Sequence, residues 1–193
     1  MLWTIRMLYL VEFADWNSQA KIGYGCGNNS ATENMGSTDN MTYHTGTNAS
    51  SRTTYGHIRY RYIEGLWDNV YDWCDGIYFS GSTVYCIKNP ASFSDSSGGT
   101  NVGTRPTSSN EISAWTNPAI SGFEYALYPS AVVSNSNYDT YICDRCDYYS
   151  SGVVLRVGGS YNRSQYRGLF FLYGNNRAGG SDANIGSRPM LLP

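Results

Sequence analysis

Residues 154–188 read VLRVGGSYNRSQYRGLFFLYGNNRAGGSDANIGSR. Short apolar fragments (Val154, Leu155 and Val157; Leu169, Phe170, Phe171 and Leu172; Ile185) alternate with runs of Tyr, Asn, Ser, Gly and Arg. The fragments have the make-up of core strands and the runs that of surface. Such a segment commits its backbone to a core while presenting mixed polar side chains, which suits a combining surface better than a catalytic centre. Tyr and Arg supply contact area and directional hydrogen bonds, while Ser, Gly and Asn adapt.

The totals agree with that reading. A chain of 193 residues is long enough to bury one sizeable core, so a single domain spanning residues 1–193 is expected. The chain holds 18 Tyr, 24 Ser, 21 Gly and 17 Asn, about two residues in five, whereas charged residues are 15% against an average of about 25%. Uncharged polar groups therefore do most of the solvating. A net charge of -2 without a basic stripe argues against nucleic acid or a membrane surface as partner. The opening MLWTIRMLYLVEF is broken by Arg6 and Glu12, falls short of the roughly 20 residues of a spanning helix, and is followed by no cleavable small-residue pattern. Neither secretion nor membrane insertion is expected. Cys26, Cys74, Cys86, Cys143 and Cys146 are an odd number, read as mostly reduced thiols in a chain assembled inside a cell.

Along the chain, residues 4–20 predict a helix with Ile5, Leu8 and Val11 on an apolar face widened by Met7, Leu10 and Trp16. Thr4 is the expected cap, and the GYGCG run at 23–27 the stop. That run follows a helix and lacks the Lys and Ser/Thr of a phosphate loop, so it reads as a turn. Residues 28–56 read as loops and short irregular strands. His44 and His57, the two histidines, read as solvated or hydrogen-bonded rather than catalytic. In residues 57–79, Trp67, Val70, Trp73 and Ile77 are spaced as buried anchors. Asp68, Asn69, Asp72 and Asp75 between them read as partners of backbone donors, with a hard-cation site as the rival. Ile77, Tyr78 and Phe79 and the run 83–88 flank a Ser-Gly-Ser turn and predict a hairpin. Residues 89–110 read as a long polar surface loop and 111–142 as wrapping segments and short strands. The pair Cys143 and Cys146 has the spacing of a zinc or redox pair, but the chain holds neither a second pair nor a visible parallel-sheet context for one.

Three motifs carry a family resemblance. GLWDNVYDW at 65–73, LRVGGSY at 155–161 and NIGSR at 184–188 occur in the order of similar elements in the formylglycine-generating-enzyme branch of the C-type lectin fold. Within that group the last segment resembles the variable proteins of diversity-generating retroelements, with Gly158 and Gly159, then Gly168, Leu169 and Phe170, then Ile185, Gly186 and Arg188 matching their fixed positions. The resemblance implies an α+β, C-type lectin-like fold: a small twisted antiparallel sheet, one or two helices and extensive irregular loops. It implies that Tyr161, Asn162, Arg163, Tyr166, Arg167, Tyr173, Asn175, Arg177, Asp182 and Asn184 are displayed on a variable, ligand-binding face. The implied function is non-enzymatic binding of a protein or glycan receptor on a host cell, at a phage tail-fibre tip or a cell surface. No cofactor, catalytic residue or metal ligand is expected, and multiple copies within a fibre would add avidity. Two other readings stay open: a structural virion protein without a diversified site, and an oxidase using Cys143 and Cys146.

Overall fold

The computed structural model describes residues 2–23, 25, 31–32, 34–36, 38–40, 44–45, 57–134, 144–150, 153–162 and 168–186. Helix α1 spans Leu2–Phe13 and ends where Ala14 takes a left-handed conformation (φ 49°). A second helix, α2, spans Ser18–Lys21 and is capped by Asn17, whose side-chain oxygen accepts the Ala20 N–H at 2.9 Å. The single helix expected over 4–20 is thus two pieces, and Thr4 lies inside α1 rather than at its cap. The buried face also differs from the expected one. Ile5, Arg6 and Tyr9 point inward, whereas Met7 and Leu8 are exposed and Val11 is 82% exposed. The reason is Arg6, whose guanidinium is drawn to carbonyls of the C-terminal segment and turns the helix toward it.

Nine strands among the described residues form one mixed sheet. They are β4 (Tyr71–Ser80), β5 (Thr83–Cys86), β6 (Thr100–Thr104), β7 (Asn110–Thr116), β8 (Tyr128–Val133), β9 (Arg145–Tyr148), β10 (Val154–Val157), β11 (Leu172–Asn176) and β12 (Ile185–Gly186). The order is β6-β5-β4-β10-β11-β9-β7-β8, with β12 alongside the start of β4. Pairing is antiparallel except between β11 and β9 and between β12 and β4. A smaller antiparallel sheet joins β1 (His44–Thr45), β2 (Arg59–Tyr60) and β3 (Ile63–Glu64). With two helices among the described residues, the chain is mostly sheet, of a kind compatible with an α+β class.

The predicted hairpin is β4 and β5, in register from Ile77 opposite Cys86 to Ser80 opposite Thr83. Residues 89–110, expected as a polar loop, contain a short 3-10 turn at Pro90–Ser92 and the edge strand β6. Val102 enters the core, and Arg105 is buried over the Phe79 ring at 3.8 Å. The Arg105 guanidinium donates to the carbonyls of Gly81 (3.1 Å), Gly174 (3.0 Å) and Tyr149 (3.3 Å). Such bonds hold a polar segment that composition alone reads as loop. The sheet is curled: the Tyr128 hydroxyl on β8, at one end of the strand order, donates to the Val102 carbonyl on β6, at the other, at 2.9 Å.

Three apolar clusters result among the described residues, the smallest made of Tyr71, Phe171 and Tyr173. The main one fills the curl with Ile77, Phe79, Val84, Val102, Ile112, Phe123, Leu155, Val157 and Leu172. The second packs α1 and the 57–67 stretch onto Leu169 and Phe170, through Ile5, Tyr9, Ile58, Tyr60 and Trp67.

Candidate functional site

The three motifs that were separate in sequence meet along β4. Val157 pairs with Asp72 and Arg156 with Trp73 on one side of the strand, while Ile185 pairs with Tyr71 and Gly186 with Asp72 on the other. The turn before β4 completes the junction. The Asn69 carbonyl accepts the Tyr161 N–H and the Asn184 carbonyl accepts the Tyr71 N–H. Gly158 sits at φ 85°, and a Cβ there would stand 3.0 Å from the Leu66 carbonyl oxygen. This position therefore demands a glycine on both conformational and steric grounds.

Between the two polar runs, the backbone of 168–171 is held by side chains of the N-terminal helices and of Asp144. The Ser18 hydroxyl accepts the Leu169 N–H at 2.9 Å, and Asp144 accepts the Phe170 N–H at 2.8 Å. Arg6 donates to the carbonyls of Leu169 (3.0 Å) and Phe171 (3.4 Å). Gln19 donates its amide to Asp144 at 2.6 Å. Gly168 lies against this cluster so closely that a Cβ would stand 2.4 Å from an Asp144 oxygen and 2.7 Å from the Ser18 hydroxyl. The GLF element is thus fixed from below by Arg6 and Ser18, more than a hundred positions away, and by Asp144, 26 positions from Phe170.

Burial shapes the charges of this support. Desolvation lowers the Arg6 guanidinium to about 10, with Cys74 and Asp144 opposing the shift. Desolvation likewise pushes the Asp144 carboxyl up to about 6, against the pull of the Gln19 and Phe170 hydrogen bonds and of Arg6. A carboxyl whose folded value lies above its unfolded one is favoured in the fold when protonated. Stability conferred by Asp144 is therefore complete below about pH 4 and falls as pH rises to about 6, by on the order of 3 kcal/mol. Denaturant titrations at about pH 4 and 6 should show that decline, and Asp144→Asn should flatten it. In the variant the amide oxygen still accepts the Phe170 N–H, and a flipped Gln19 amide accepts from the new nitrogen.

A second polar–aromatic group braces the far side of β10. Arg156 is buried, with its guanidinium 4.6 Å from the ring centroids of both Tyr71 and Tyr173, and it donates to the Asn176 side-chain oxygen. Tyr71 and Tyr173 stack at 5.0 Å, with Phe171 beyond them. Each ring contributes on the order of 1–2 kcal/mol of cation–π attraction when desolvated.

The expected displayed residues separate accordingly. Asn162, Asn175, Arg177 and Asp182 are exposed, and Tyr161 and Asn184 are half-buried. Arg163, Tyr166 and Arg167 lie outside the described residues. Tyr173 departs from its expected display, being 8% exposed, because its place on β11 opposite Arg156 directs its ring into the stack. Only its hydroxyl reaches the surface set, accepting from the Asn175 amide at 3.1 Å. Tyr173→Ala should cost about 3 kcal/mol of unfolding free energy. Arg177→Ala should stay within about 0.5 kcal/mol. Paired denaturation curves of the two variants test the division into frame and display.

No family model, curated protein or solved structure matches the chain.

Cys74, Cys86 and Cys146 are free, and Cys26 and Cys143 lie outside the described residues. Burial pushes the Cys146 thiol up to about 12. Of the four polar residues proposed between the buried anchors, Asp68 is buried and accepts the Ile58 N–H at 3.1 Å. Sequence reading missed the load on Arg6, Gln19, Arg105, Asp144 and Arg156. One sign was present for Arg6: a lone cation in the middle of an otherwise apolar helix.

Proposed function

We propose that this chain is a non-enzymatic display domain of C-type lectin-like fold, binding a protein or glycan receptor on a host cell through the surface around 161–162 and 175–184. The observation that carries the reading is the division within one short segment. The strands β10 and β12 pair with β4, β11 pairs with β10, and the N-terminal helices hold the 169–171 backbone, while Asn175 at the end of β11 and Asn162, Arg177 and Asp182 on the connections stay exposed. A rigid frame with interchangeable polar side chains suits recognition, since such side chains can change without disturbing the packing beneath. No group of three or more His, Cys, Asp or Glu side chains suited to a metal ion occurs among the described residues. No helix among them is long and apolar enough to cross a membrane.

On this reading the face is diversified by a retroelement and stands at a phage tail-fibre tip or on a cell surface. Two measurements test it. The codons of the displayed residues should relate to a nearby template repeat by substitutions at adenines, with a reverse transcriptase gene alongside. A domain without either is not diversified. The combined variant Asn175→Ala, Arg177→Ala, Asp182→Ala should lose capture on arrays of bacterial surface glycans and envelope proteins, with its thermal unfolding midpoint within about 2 °C of the parent. Unchanged capture by that variant would move the binding surface elsewhere.

A further inference from the structure

The described residues between 23 and 38 are held to the 57–69 stretch by a row of bonds from its side chains. The Gly23 carbonyl accepts the Trp67 indole N–H at 3.0 Å, the Gly36 N–H donates to Glu64 at 2.7 Å, and the Thr38 carbonyl accepts from Arg59. The Asn69 amide lies 3.5 Å from the Met35 sulfur. At the middle of this strap sits His57, 2% exposed. Its Nδ1 is 3.2 Å from Asp68 Oδ2 and its Nε2 is 3.2 Å from the Asn34 carbonyl oxygen.

Both of those partners are acceptors. A backbone carbonyl only accepts, and so does an ionised carboxylate, whereas a neutral imidazole carries a single N–H and satisfies one of them. Only the imidazolium donates to both at once. Asp68 Oδ2 also accepts the Ile58 N–H from another side, at 3.1 Å. From this geometry we infer that His57 is a proton-operated clasp: the imidazolium closes the strap by donating to Asp68 and to the Asn34 carbonyl, and loss of its proton releases one of the two.

The titratable groups acting on the ring are Asp68, from the turn before β4, and Glu64, from β3, and both favour the cation. The hydrogen bond to Asp68 comes first among the causes that hold His57 above the ordinary histidine value, with desolvation opposing it. A histidine raised in the fold lends stability that is complete below its unfolded value of about 6.5 and is lost as pH rises through the folded one. The clasp is therefore shut in acid and opens toward alkali. Its release reaches the beginning of the polar face, because the turn that carries Asp68 also accepts the Tyr161 N–H at Asn69 and abuts Gly158 at Leu66. The inference holds whatever that face binds.

The experiment is long-range proton–nitrogen NMR on the full chain labelled at histidine, with His44→Gln leaving His57 as the one remaining ring. Over about pH 5 to 9, both nitrogens should be protonated at pH 6, with a midpoint above about 6.5. Amide exchange at Met35 and Gly36, corrected for its intrinsic pH dependence, should step up several-fold across the same midpoint. In His57→Gln it should be fast at every pH. A ring with one proton at pH 6, or exchange without a step at the midpoint, overturns the clasp. If His57→Gln does not fold, the spectra and exchange of the histidine-bearing chain decide alone.

Discussion

Arg6→Ala is expected to lower the unfolding free energy by about 3–5 kcal/mol, the range seen when one member of a buried charged group is removed. Arg6 is fully buried in α1, donates to the Leu169 and Phe171 carbonyls, and lies over the Trp115 and Phe170 rings at 5.4 and 5.7 Å. Its loss orphans two buried carbonyls and removes the cation that offsets Asp144. Arg6→Lys keeps the charge but loses the planar fork that reaches two acceptors together, so it should recover part of the loss and not all of it. Equilibrium denaturation of the three proteins gives the comparison. A cost for the alanine variant below about 1 kcal/mol would mean that α1 is not bolted to the GLF element through this side chain.

Trp67→Ala should cost a similar amount, about 3–5 kcal/mol, through the cavity left by a large, fully buried ring. The indole supports the turn against which Gly158 packs, and its N–H holds the Gly23 carbonyl. Trp67→Phe separates the two contributions. It keeps most of the packing but leaves the Gly23 carbonyl without its donor, at a cost of about 1–3 kcal/mol. If the two variants lose the same amount, the hydrogen bond outweighs the packing. If phenylalanine is neutral, the strap does not depend on the indole nitrogen.

Local signals in the sequence transferred well where the structure is local. The β4–β5 hairpin follows from two β-rich runs around Ser-Gly-Ser, and its register needs only four residues on each side of the turn. Trp67 and Ile77 are buried as their spacing suggests, whereas Val70 and Trp73 are half-buried, and the apolar fragments of 154–188 are strands or core. Less was legible where partners are remote. Periodicity placed Leu8 and Val11 inside α1, yet the helix turns on Arg6, whose acceptors lie 163 and 165 residues away. Composition made 89–110 a loop, yet β6 forms there because β5 offers it an edge and the core a place for Val102. Within the candidate site, the split between frame and exposed polar residues was legible for Asn162, Asn175, Arg177 and Asp182 and not for Tyr173.

The amino-acid sequence by itself determined the apolar fragments, the hairpin, the glycines of the GG and GLF elements, and the mostly uncharged polar surface. These depend on side-chain type and on neighbours a few positions away. Only the tertiary structure decided which Arg and Tyr side chains are displayed and which are enclosed. Arg6, Arg105 and Arg156 are buried, whereas Arg177 is exposed, and Tyr71 and Tyr173 are buried, whereas Tyr149 is exposed. The physical reason is that a guanidinium or phenol can enter a core only where carbonyls and ring faces await it. Those partners come from distant strands and exist as a set only after the sheet has curled.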